Sequence, residues 1–120
     1  MKLKRLLIAD DQLGIRLLLS EVFKREGYKI FLAANGIEAL QLVKDEQPDC
    51  ILLDMEMPGM NGDEVLKEIK SNWPDIPVIM MTAHADVELL HQILEDLVQL
   101  FTKPFDIYEL RDTVNRVFEK

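Results

Sequence analysis

Cys50-Ile51-Leu52-Leu53-Asp54-Met55 is the stretch on which the fold turns. Three consecutive aliphatic residues lead into an acid, and turn residues follow at once in Met57-Pro58-Gly59-Met60-Asn61-Gly62. A short apolar run bounded by turn signals predicts a strand buried on both faces, as inside a parallel sheet. Asp54 then stands at the C-terminal end of that strand, the edge of an open α/β sheet where ligands bind. An acid in that place is a ligand, a nucleophile or a cap.

Working outward, the same grammar recurs. Leu6-Leu7-Ile8-Ala9 is another apolar run that ends in acids, Asp10 and Asp11. A helical stretch from about Leu13 to Glu26 follows, closed by Gly27. Lys29 to Ala33 reads as a strand, and Ile37, Leu40 and Val43 have helical spacing up to about Asp45. After the Pro58–Gly62 turn, Val65, Leu66 and Ile69 make a helical stripe that ends near Trp73-Pro74. Pro77 to Thr82 is a fourth strand, a leucine-rich helix covers about Val87 to Asp96, and Val98 to Thr102 is a fifth strand. A last helix runs from about Ile107 to Phe118. Strand–helix repeated five times, with short connections, predicts a doubly wound parallel sheet with helices on both faces.

Length and composition narrow the function. The 120 residues suffice for one domain with a real core, residues 1–120, and no linker or repeat divides them. A net charge of −8 disfavours nucleic acid as a direct partner, because phosphate binding needs a basic face. The single cysteine, Cys50, permits no internal disulfide and reads as a small buried hydrophobe. The apolar segment after Lys4-Arg5 is too short for a signal peptide, and no run approaches the ~20 residues of a membrane helix. The expectation is a cytoplasmic protein with no membrane partner.

Parallel strands share one C-terminal edge, which here receives Asp10 and Asp11, Asp54, Thr82 and Lys103. Each has a bland reading: the first acids can cap a helix, threonine favours strands, and lysine before proline is usually a surface residue. Their joint arrival at four strand ends is not explained by stability. Crowded carboxylates repel and call for a counter-charge. An all-oxygen donor set selects a hard ion, so Mg²⁺ is the natural cofactor, with Mn²⁺ or Ca²⁺ able to substitute. Carboxylates, a divalent ion, a lysine and a hydroxyl together suit phosphoryl transfer, which depends mainly on charge stabilisation. A carboxylate is ionised at neutral pH and needs no general base to become a nucleophile.

Asp10-Asp11, Asp54 with Met57-Pro58-Gly59-Met60-Asn61-Gly62, Thr82-Ala83 and Lys103-Pro104-Phe105 together carry a resemblance. Along essentially its whole length the chain resembles the receiver domain of two-component response regulators. Asp10-Asp11-Gln12, Gly14-Ile15-Arg16 and Glu26-Gly27-Tyr28 are most similar to single-domain phosphorelay receivers. The resemblance implies a flavodoxin-like three-layer fold with strand order 2-1-3-4-5. The expectation for residues 1–120 is a single receiver domain with no output domain, either free-standing or cut from a longer regulator. It implies that Asp54 accepts a phosphoryl group from a phosphohistidine of a sensor histidine kinase or a histidine phosphotransferase. Asp10, Asp11, Asp54 and the backbone carbonyl of Glu56 would hold Mg²⁺. Thr82 would hydrogen-bond a phosphoryl oxygen, Lys103 would pair with it, and the Lys103–Pro104 bond would be cis.

Some positions depart from the family pattern. Asp96-Leu97 replaces the usual Gly-Ala, and Leu100 stands where an aromatic or histidine is common; leucine can change rotamer but cannot hydrogen-bond. Glu56 and His84, each two residues past a strand-end residue, are expected at the rim of the crevice, tuning phosphoryl lifetime. The first helix carries more apolar residues than one core stripe needs, so some face outward. Gln12, Gly14, Ile15 and Leu18, with Pro104 and Phe105, are the expected docking surface for a helical partner. The competing enzyme reading is a Mg²⁺-dependent phosphatase with Glu56 as proton donor, but the chain has no cap to enclose a small substrate. Flavodoxin-like cofactor binding lacks a glycine-rich phosphate loop.

Overall fold

The structure, a computed structural model, describes residues 3–84, 91 and 93–119. Strands β1 (Arg5–Ala9), β2 (Lys29–Ala33), β3 (Cys50–Asp54), β4 (Val78–Thr82) and β5 (Gln99–Thr102) form one sheet in the order β2-β1-β3-β4-β5. All four pairings are parallel. Helices α1 (Leu13–Arg25), α2 (Gly36–Glu46) and α3 (Gly62–Asn72) and a C-terminal helix (Ile107–Val117) complete the described elements. The expected leucine-rich helix falls largely on residues 85–90 and 92, outside the described residues. Its end, Leu94–Asp96, is a short 3-10 turn.

Alternation along the strands assigns the layers. Leu7, Ala9, Ile51, Leu53, Val78 and Met80 point to one face, where Val43, Val65 and Ile69 of α2 and α3 cover them. Leu6, Ile8, Cys50, Leu52, Ile79 and Met81 point to the other, against Leu19 and Phe23 of α1 and Leu110 and Val114 of the C-terminal helix. Because β3 lies at the centre of the sheet, all five of its residues are buried. That is why it reads as a continuous apolar run rather than an alternating one. Cys50 is buried, and burial pushes its thiol up to about 12, so it behaves as the small hydrophobe its sequence setting suggested.

The helix ends follow local chemistry. Asn35 accepts the Glu38 N–H, while Glu38 reaches back to the Ala34 N–H, a reciprocal cap at the start of α2. Asp106 caps the C-terminal helix by accepting from Tyr108 and Glu109. Gln12 stands at the α1 N-cap position without a side-chain bond. The sequence placed most element ends within a residue or two. The corrections are small: β4 starts at Val78 rather than Pro77, and β5 at Gln99 rather than Val98. Proline has no N–H to give the ladder, whereas the Val98 N–H already bonds Val78 O just ahead of β5.

Candidate functional site

The C-terminal strand ends converge as their parallel order requires. β1 delivers Asp10 just past its last residue, and the Asp10 N–H is tied to the Ala33 carbonyl of β2. β3 ends on Asp54, paired in register with Met81 of β4. The Met55 N–H donates to the Met81 carbonyl, and the Lys103 N–H donates to the Thr82 carbonyl. The backbone ladder therefore continues one residue past the strands and fixes where each functional side chain begins.

Carboxylate oxygens of Asp10, Asp11 and Asp54 lie within 4.8 Å of one another. Asp10 and Asp54 are 0% and 1% exposed, while Asp11 lies open to solvent. The Lys103 ammonium stands 3.0 Å from Asp10 and 3.5 Å from Asp54. Asp10 also accepts the Gln12 N–H at 2.9 Å, so it serves the entry to α1 and the site together. Asp54 accepts the Glu56 N–H at 3.2 Å. The donor set is all carboxylate and crowds three negative charges against one ammonium. Such a set fits a hard divalent ion, with Asp10, Asp11 and Asp54 as the side chains that could hold it.

Electrostatics follow from that crowding. Burial, and then the Asp10 charge, push the Asp54 carboxyl from its ordinary 3.8 up to about 7; Lys103 and the Glu56 N–H pull only partly the other way. For Lys103, burial favours the neutral amine. The bond to Asp10 and the charges of Asp54 and Asp10 outweigh it and hold the group above its ordinary value. The ammonium is shared unequally, nearer Asp10, and so it offsets only part of the cost of ionising Asp54.

Thr82, 1% exposed, has its hydroxyl 2.7 Å from Glu56 Oε2. It also lies 2.9 Å from the His84 carbonyl and accepts the His84 N–H at 3.1 Å. Glu56 Oε1 accepts the Ala83 N–H at 2.6 Å. Glu56 thus reaches inward across the crevice rather than standing at its rim, whereas His84 is exposed and engages Thr82 through its backbone. The sequence reading also missed Arg16, whose guanidinium donates to the Asp10 carbonyl at 2.8 Å. A cation one turn into the helix that follows the paired acids was the available signal. The Lys103–Pro104 bond is cis.

Two glycines hold the loop after Asp54. A Cβ on Gly62 would stand 2.6 Å from the Asp54 carbonyl oxygen and from Met55 Cα, so α3 can begin directly against β3 only with glycine there. A Cβ on Gly36 would meet Met60 at 2.8 Å, which seats the start of α2 against the same loop.

The expected docking residues divide. Gln12, Gly14 and Leu18 are exposed, together with Leu13 and Leu17. Ile15 is half-buried against the second core cluster, and so is Phe105, while Pro104 is exposed. The exposed Leu13, Leu17 and Leu18 account for the surplus of apolar residues on α1. Leu100 is half-buried and packs on the first cluster.

Comparison with known proteins agrees with this geometry. Residues 6–115 match the family model described as the response regulator receiver domain. The chain is 49% identical over 114 residues to sporulation initiation phosphotransferase F of Bacillus subtilis, covering 94% of this chain and 92% of that protein. It is 40% identical to the regulatory protein AtoC of Escherichia coli, covering 98% of this chain but 26% of that one. Among solved structures, response regulator TrrA of Thermotoga maritima, in complex with Mg²⁺ and beryllofluoride, superposes with a TM-score of 0.87. It shares 36% identity, over 96% of this chain and 99% of that one.

Proposed function

The chain belongs to the response regulator receiver family, and we propose that Asp54 accepts a phosphoryl group from a phosphohistidine of a sensor kinase or histidine phosphotransferase. The observation that carries this is the crowding of Asp10, Asp11 and Asp54 around a shared Lys103 ammonium. An Asp54 carboxylate oxygen attacks phosphorus, the phosphorus–nitrogen bond breaks, and the imidazole leaves carrying the electron pair and takes up a proton. The product is an acyl phosphate, a mixed anhydride reactive enough for onward transfer or hydrolysis.

Asp10, Asp11, Asp54 and the Glu56 carbonyl would hold Mg²⁺, which when bound neutralises charge on the acids and on the transferring group. Mn²⁺ or Ca²⁺ could take the same oxygens. Lys103 balances the anionic product, and the Thr82 hydroxyl donates to a phosphoryl oxygen. The open apolar residues of α1 with Gln12, Gly14, Ile15, Leu18, Pro104 and Phe105 offer the partner a surface beside the acids. His84 lies next to Thr82 and sets the lifetime of the acyl phosphate, which the half-life in His84→Ala reports. Among the described residues no helix is long and apolar enough to cross a membrane, in keeping with a cytoplasmic role.

The phosphatase reading gains nothing. It would use Glu56 as a free proton donor, and that carboxylate is already held by Thr82 and Ala83.

The test is incubation with Mg²⁺ and acetyl phosphate, and separately with a histidine-phosphorylated phosphotransferase, followed on a phosphate-affinity gel. Base-labile label in the wild type that is lost in Asp54→Ala supports the proposal. Label that persists in Asp54→Ala, or steady turnover of simple phosphate esters, would overturn it.

A further inference from the structure

We infer that the Glu56 carboxylate is an internal anion that occupies the Thr82 hydroxyl and the Ala83 N–H in the resting protein. It must surrender them when a phosphoryl group forms on Asp54. The inference rests on the phosphoacceptor role proposed above and adds a positioning residue to it.

Both oxygens of Glu56 are used. Oε2 takes the Thr82 hydroxyl at 2.7 Å and Oε1 takes the Ala83 N–H at 2.6 Å, lengths typical of charge-assisted bonds. The two donors are consecutive residues at the end of β4, and their strand neighbours the one that carries Asp54. Two adjacent donors closed on a carboxylate form a ready site for an oxyanion, and one is already in it.

Thr82 has a single hydroxyl proton, to be given either to Glu56 or to the His84 carbonyl at 2.9 Å. The ionised acceptor wins that competition, since bonds to charged groups are about twice as strong as neutral ones. Meanwhile the His84 N–H donates to the same oxygen and fixes the rotor from behind. A buried hydroxyl so committed cannot also donate to a phosphoryl oxygen. For that bond to form, Glu56 must release it.

The tether makes release local. Glu56 lies two residues after Asp54 and gives it a backbone N–H at 3.2 Å, while Gly62 anchors the same loop from below through its N–H to the Met55 carbonyl. The backbone is held at both points, so the exchange is a rotation of one side chain. Glu56 is also a further negative charge beside Asp10, Asp11 and Asp54, and it opposes the arrival of an anionic donor. A carboxylate here therefore stabilises the resting state and slows phosphorylation.

Glu56→Gln keeps the shape and removes the charge, and Glu56→Ala removes both bonds. In each, the Ala83 amide in unphosphorylated protein should exchange hydrogen faster than in the wild type, by about tenfold or more in the alanine variant. Phosphorylation of Asp54 by acetyl phosphate at saturating Mg²⁺ should accelerate by roughly tenfold, the worth of one charge-assisted bond. Because the gain runs partly through the hydroxyl, it should shrink when Glu56→Ala is placed on Thr82→Ala. A mere loop staple would do the opposite, loosening the site and slowing the reaction in both variants. Unchanged or slower phosphorylation in both, or an Ala83 amide that exchanges no faster, overturns the inference. Failure of the wild type to take label at Asp54 would instead refute the phosphoacceptor role, while the Ala83 amide still reports on the resting contact.

Discussion

Replacing Asp54 by Asn isolates what the acid costs the metal-free fold. The carboxyl is pushed from 3.8 up to about 7 by burial and by Asp10, so below about pH 7 the folded protein favours the protonated form. Between those values the folded state keeps a proton that the unfolded state has lost, and stability falls as pH rises through the window. Above about pH 7 both states are ionised and the full cost persists. At ~1.4 kcal/mol for each pH unit, the ceiling is about 4 kcal/mol above pH 8, about 2 near pH 5.5 and close to zero below pH ~3.5. Asparagine keeps an oxygen for the Glu56 N–H and removes the charge; Lys103 retains Asp10 at 3.0 Å. Urea unfolding in EDTA at pH 4, 5.5, 7 and 8.5 should show Asp54→Asn more stable than wild type, by a margin that grows with pH. Mg²⁺ should narrow that margin at pH 8.5, because a divalent ion favours the ionised acid. A margin that is flat with pH, or of the opposite sign, would refute the account.

Lys103→Met leaves the fully buried Asp10 without its ammonium and should cost about 3 kcal/mol at pH 8, read by urea unfolding. Since Lys103 is held above its ordinary value, its contribution in the wild type is complete at neutral pH and fades only in strong alkali. Asp11→Asn, at an exposed position, should weaken Mg²⁺ binding by about tenfold or more while changing stability in EDTA by no more than about 0.5 kcal/mol; calorimetric titration and urea unfolding separate the two. Gly62→Ala drives a Cβ against the backbone of Asp54 and Met55 and should cost about 1–3 kcal/mol, visible as a lower melting temperature.

The parts of the site that were legible in the sequence are those fixed by chain direction. Cys50 to Asp54 declared a buried strand and its exit; once every strand is parallel, Asp10, Asp11, Thr82 and Lys103 must arrive at that same edge. Core residues were legible for the same reason, because β3 lies between two strands and is covered on both faces. What resisted reading was side-chain direction in the loops. Glu56 has the spacing of a rim residue, and nothing in its neighbours says that it crosses to β4 instead of pointing into water. Arg16 offered only its place one turn into the helix after the paired acids, since a guanidinium that turns back to the Asp10 carbonyl leaves no periodic trace. The outward leucines of α1 were foreseeable only as a surplus, because a helical wheel shows that some residues must be exposed without saying which.

Like charges can be gathered at this edge because neither core depends on them. Leu53 and Leu52 pack on opposite faces immediately before Asp54, and Met81 packs immediately before Thr82. The strand residues of each apolar layer are therefore in place before the chain reaches its acids, and Met55 and Met57 carry the α2–α3 layer on past Asp54. The destabilisation from Asp54 falls on a sheet whose packing is already complete, and removing the charge should stabilise the fold without rearranging it. The same separation confines the consequences of phosphorylation. On the phosphoacceptor role proposed above, a group added at Asp54 would meet Lys103, Thr82 and Glu56 above the core and compete for the contact between Glu56 and the end of β4. That contact joins the loop after β3 to the end of β4, so on the inference above displacement of Glu56 is how the chemistry of one carboxylate would reach the exposed Ala83 and His84.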